Sequence, residues 1–210
     1  MKNVLCIRSF RSRSAFAFSL LVSGFSLLVF SFSLSTAVSA QRDYFTPEEV
    51  ELIRNAQQID QRINVLTHAI DRRFTVLKID VGGPKIAARD ADGWGALPQG
   101  SRFDILLDIK RILQKAIDDI DNISERPDSA IIPYEDEKHP KSFAELFPKA
   151  VRDLAASAQR YGPILKTELD NSKDDAEKGT LMDAIDSCDQ IIAAVVKLPA
   201  EAPKPTGKKH

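Results

Sequence analysis

Three histidines, a few clusters of aspartate and a single cysteine beyond the first forty residues are the groups in this chain that could do chemistry. A di-metal site in a helical core takes Glu-x-x-His on two helices with further glutamates facing inward. Val65 stands three residues before His68, Asp136 and His139 lie in a proline-flanked stretch, and His210 ends the chain. With leucine and isoleucine on the inner stripe of its helix, His68 falls at the outermost position and is expected to face solvent. Asp90-Ala91-Asp92-Gly93-Trp94-Gly95 resembles the start of a calcium loop, but the fifth position is Trp94 and the twelfth is Ser101. Neither can supply the carboxylates such a loop needs, so an Asp-Gly turn is the expectation.

Asp118, Asp119 and Asp121 form one acidic cluster, and Asp183, Asp186 and Asp189 another. An acid–base pair needs one carboxyl desolvated and its neighbour ionised. Helical phase puts Asp183 and Asp186 opposite the apolar stripe, which predicts a wet face; Asp119 alone approaches a stripe edge. Cys188 takes a core position with no histidine near it in sequence, which predicts an inert thiol rather than a nucleophile. Asn122-Ile123-Ser124 is a chance-level glycosylation sequon. There is no Gly-x-Ser-x-Gly elbow, no Gly-x-x-x-x-Gly-Lys loop and no His-Glu-x-x-His. The expectation is therefore no catalytic, cofactor-binding or metal-ligating residue.

The elements that would position these groups are four helices, each opened by a hydroxyl-x-x-acid signal that serves a free helical N–H and the positive end of the helix dipole. Thr46-Pro47-Glu48-Glu49 precedes a helix from Pro47 to Lys78 with Leu52, Ala56, Ile59, Ile63, Leu66, Ile70 and Leu77 on one face. Ser101 opens a second, Arg102 to Ile123, with Ile105, Ile109, Ile112, Ala116 and Ile120. Ser142 opens a third, in which Pro148 and Gly162-Pro163 predict a kink and an interruption. Ser172 opens a fourth, Lys173 to Lys197, which Leu198-Pro199 ends. Fold class is thus all-α, an antiparallel four-helix bundle with long first and second loops.

Those loops are Asp80–Gly100, which holds Trp94 and five glycines, and Glu125–Lys141, which holds three prolines and Glu135-Asp136-Glu137. Loops of that length dock, bind or stay disordered. Trp94, the only tryptophan, is either a rigid anchor for a protein partner or a plug folded onto the core. Phe74, Phe103 and Trp94 could also line an apolar pocket at an aromatic end.

Residues 1–40 set the compartment. Arg8, Arg11 and Arg13 precede an uncharged, apolar run from Ser14 to Gln41, and Ala37-Val38-Ser39-Ala40 supplies small residues for cleavage. The domains are a signal peptide, 1–40, a helical domain, 41–198, and a disordered Pro- and Lys-rich tail, 199–210. The apolar run also has the length of a bilayer span, so a retained membrane anchor is the alternative. Basic residues before it place the rest outside the cytoplasm in either case. With the leader go Lys2, Arg8, Arg11 and Arg13 and no acid, so 29 basic residues fall to 25 against 30 acidic ones, a net −5. That balance disfavours nucleic acid. One remaining thiol permits no internal disulfide. The expected protein is exported, periplasmic or extracellular, and non-enzymatic, a protein- or envelope-interaction module. The alternative is a small-molecule or cofactor carrier with an apolar pocket; a carboxylate hydrolase would need two acids in one cleft.

Overall fold

The computed structural model describes residues 42–84, 92–126 and 142–198. Two compact units divide the chain, Met1–Arg42 and Asp43–His210, and the elements below belong to the second. The leader, the tail, Asp90, Asp136, His139, His210 and Glu135-Asp136-Glu137 lie outside the described residues.

Five α-helices and no strands make up the described residues, so the fold is all-α. They are α1 (Pro47–Asn55), α2 (Ile59–Val76), α3 (Arg102–Glu125), α4 (Phe143–Asn171) and α5 (Asp175–Ala194), with 3-10 turns at Asp92–Trp94 and Val195–Lys197. The hydroxyl signals act where they were expected at three helices. Thr46 Oγ1 accepts from the Glu49 N–H at 3.3 Å while Glu49 Oε2 accepts from the Thr46 N–H at 3.0 Å. Ser101 and Asp104 make the same reciprocal pair, and Glu145 accepts from the Ser142 N–H. Each such cap is worth about 1 kcal/mol.

The apolar stripes close on one core. Ile63, Leu66 and Ile70 of α2, Leu106, Ile109 and Ile112 of α3, Leu146 and Leu154 of α4 and Leu181 and Cys188 of α5 are buried in one cluster. Each large aliphatic side chain so placed contributes roughly 1.5–3 kcal/mol. α5 packs on α4 and α3, α2 packs on α3 and α4, and α1 lies on α2 and the Asp92–Trp94 turn. Among the described residues no helix is long and apolar enough to cross a membrane.

Three boundaries differ from expectation. The helix expected from Pro47 to Lys78 is two, broken at Ala56–Gln58. The reason is a long-range ion pair: Arg72 Nη1 meets Glu49 Oε1 at 3.1 Å, whereas 23 residues of straight helix would part them by about 35 Å. Arg62 Nε donates to the carbonyl freed at Ala56. The third helix runs unbroken from Phe143 to Asn171 through both Pro148 and Pro163. Its continuous buried stripe (Leu146, Ala150, Leu154, Ala158, Tyr161 and Leu165) outweighs the two missing backbone donors. The fourth helix is capped not by Ser172, which ends α4, but by Asp174, whose carboxylate accepts from the Ala176 and Glu177 N–H groups.

Candidate functional site

A cleft of about 520 Å³ opens along α2 and the segment that follows it. It is built on buried charge. Arg73 is wholly buried in the α2 stripe and pairs with Glu49, which is equally buried. The Arg73 Nε lies 3.8 Å from Asp108 Oδ2 of α3, and its guanidinium also donates to the Tyr44 carbonyl. Burying these charges is unfavourable unless they pair with good geometry. Here they bring together the chain before α1, α1 itself, α2 and α3.

Arg72, next along, fastens the far end of the loop. Its guanidinium donates to Glu49 and to the carbonyls of Trp94, Gly95 and Ala96. It also lies over the Trp94 ring, 5.4 Å from the centroid. Desolvation lowers the Arg72 pKa and Glu49 opposes that shift, but at any ordinary pH the group stays charged. The near end of the loop is fastened from α4. Arg160 Nη1 donates to the Val81 carbonyl at 3.1 Å and faces Asp71 Oδ1 at 3.5 Å. The Tyr161 hydroxyl lies 2.7 Å from Asp71 Oδ1 and 3.1 Å from the Thr67 carbonyl. Burial first, then the Asp71 charge, push the Tyr161 pKa well above its ordinary value, so it remains a donor. Gly83 passes so close that a Cβ there would stand 2.4 Å from Asp71 and 2.5 Å from Arg160.

The cleft between these fastenings is lined by His68, Asp71, Arg72, Thr75 and Lys78 of α2 and its cap, and by Ile79, Asp80, Val81, Gly83 and Pro84. Lys78 holds a left-handed conformation, φ 62°, that closes α2: its N–H donates to Thr75 and that of Ile79 to Phe74. A side chain in that conformation is strained, and glycine is the usual occupant.

His68 is not the solvent-facing residue expected. It is half-buried, with its ring edge-on to Trp94 at 5.8 Å between centroids. The break between α1 and α2 and the inward fold of the Trp94 turn cover a helix face that the stripe alone leaves outside. Desolvation lowers the His68 pKa, against Asp71, which raises it, and with Arg160, which lowers it further. Trp94 is buried in the core cluster, as the plug reading expected, so its ring is not an exposed anchor. Phe74 is also core and Phe103 is half-buried, and none of Phe74, Phe103 and Trp94 lines the cleft.

The aspartates of the two acidic clusters do not converge on the cleft, whose own carboxylates are Asp71 and Asp80. Asp118, Asp121, Asp183, Asp186 and Asp189 are exposed; Asp119 is buried and bonded by Lys115 at 2.6 Å, and Lys110 bridges to Asp183. Among the described residues no three His, Cys, Asp or Glu side chains gather as a metal site. Burial pushes the Cys188 thiol up to about 12, which leaves it protonated and unreactive.

Glu49, Arg72, Arg73, Asp71 and Tyr161 were missed. Arg73 follows Ile70 by three residues and Asp108 follows Ile105 by three, so both put a charge on an apolar stripe. That anomaly is the signal the sequence carried. No protein family, curated protein or solved structure matches this chain.

Proposed function

We propose that the protein is an exported, non-enzymatic helical protein that works by binding, with the α2 cleft as its contact face for a protein or envelope partner. In this reading α2 to α5 form an antiparallel four-helix bundle and α1 is a short arm folded on α2. The three-residue link Ser172–Asp174 supports antiparallel α4 and α5. The observation that carries the proposal is the fastening of the loop at both ends, by Arg72 and by Arg160, around an open cleft. A binding surface gains affinity from being held in shape before its partner arrives. Export rests on residues 1–40, with cleavage after Ala40 preferred to a retained anchor.

A second reading, a small-molecule carrier, is favoured by the cleft volume, which falls in the roughly 300–1,000 Å³ range of ligand sites. Its lining mixes polar and aliphatic side chains, and none of Phe74, Phe103 and Trp94 is part of it. Affinity capture from the extracytoplasmic compartment tests the binding role. Thr75 is exposed and lines the cleft, so Thr75→Tyr narrows the cleft without changing its charge, and should lose partners that wild type and Asp186→Lys retain. Identical capture by all three would remove the cleft from the proposal.

A further inference from the structure

Each carboxylate of the cleft lining has one oxygen engaged, and Arg72 is engaged as well, but two of the lining's cationic or ionisable donors are not. Asp71 Oδ1 receives the Tyr161 hydroxyl and faces Arg160, and Asp80 Oδ1 receives the Gly82 N–H at 2.9 Å. By contrast, no hydrogen bond or ion pair from another described residue reaches the Lys78 ammonium or the His68 ring nitrogens. The negative end of α2 would oppose an anion, but the cap at Lys78 and Ile79 engages the Thr75 and Phe74 carbonyls. Arg72 and Arg160 add positive charge on the two sides. Ile79, Val81 and Pro84 give the same cleft an apolar wall. Its volume greatly exceeds that of an inorganic anion, which would leave this wall bare.

We propose that the cleft binds a small organic anion, with its charged head at Lys78 and His68 and its apolar body along Ile79 and Val81. This rests on the reading of the protein as a binding module and names the chemistry of one ligand. A lysine kept in a left-handed turn that glycine would fill with less strain fits a side chain held for its charge. His68 neighbours Asp71 and Arg72 on α2, Arg160 from α4 and Trp94 from the loop, and Lys78 and Asp80 line the same cleft. Protonating it adds a donor and a charge, so anion affinity rises as pH falls.

Trp94, against His68, is the chain's only tryptophan and reports on the site. The folded full chain is titrated with hexanoate, hexyl phosphate, hexylammonium and hexan-1-ol, with tryptophan fluorescence and calorimetry as readouts. One or both anions should bind with roughly millimolar affinity, as suits so small a ligand, and the better of the two assigns a carboxylate or phosphate head. Hexylammonium and hexan-1-ol should not bind. Lys78→Gly suits the backbone at that position, so it stays folded, and should weaken the anion about tenfold or more. His68→Gln should flatten the gain in affinity between about pH 7.5 and 5.5. Hexylammonium binding as tightly as the anions, or anion binding unchanged in Lys78→Gly, would overturn the assignment, as would no anion binding at all. If capture is still lost in Thr75→Tyr while hexanoate and hexyl phosphate fail, the binding role stands and the anion falls.

Discussion

At the scale of single residues, the fold turns on charges that an apolar pattern treats as errors. Arg73 has no exposed surface and depends on Glu49 and Asp108. Removing one partner of a buried pair leaves the other uncompensated, at a cost of about 3–5 kcal/mol. Glu49→Gln keeps the shape and deletes the charge, so urea denaturation should give a loss near the lower end of that range. A loss under about 0.5 kcal/mol, the level of an exposed pair, would mean that the network adds nothing to stability. Lys78 makes the opposite case. Lys78→Gly removes left-handed strain at a helix end and should raise stability by roughly 0.5–1 kcal/mol. That gain, beside a loss of anion affinity, would separate what the lysine does for binding from what it costs the fold.

At the scale of elements, caps and periodicity were legible and interruptions were not. Three hydroxyl caps act where their spacing placed them, because a cap is satisfied within one turn of helix. The break at Ala56–Gln58 has no proline or glycine to announce it; it exists because Glu49 must reach Arg72 and Arg73. Gly162-Pro163 announces an interruption that does not occur, since the proline costs one backbone bond while the α4 stripe buries side chains along its whole length. Gly179 lies inside α5, exposed, with nothing within 4 Å of where a Cβ would stand. Gly179→Ala should therefore raise stability by about 0.5–1 kcal/mol in the same assay; a loss would reveal a contact at that site.

At the scale of the whole molecule, stability should respond to mild acid through His68. Its pKa in the folded protein is lowered by desolvation from the ordinary value of about 6.5. Below that value the unfolded chain takes up a proton that the folded chain resists, so the unfolded state binds more protons and stability rises with pH. Stability is thus full above about pH 6.5 and falls as pH drops toward the folded pKa. Thermal melting between about pH 7.5 and 5.5 should fall less steeply for His68→Gln than for wild type. Parallel slopes would place the acid sensitivity elsewhere. An anion bound beside the imidazolium would offset part of that loss, which links this measurement to the cleft.

The helical class, three caps and most of the buried stripe were determined by the sequence itself, since each depends on residues within one or two turns of one another. The wet aspartates of α5 and the inert Cys188 were legible for the same reason. The cleft was not. It depends on Glu49 meeting Arg73 across 24 positions, and on Tyr161 meeting Asp71 across 90. Periodicity says which face of a helix is apolar; it does not say which distant charge that face will bury. Tertiary packing decided that, because a charge out of water must find a partner and the nearest one in space was far away along the chain.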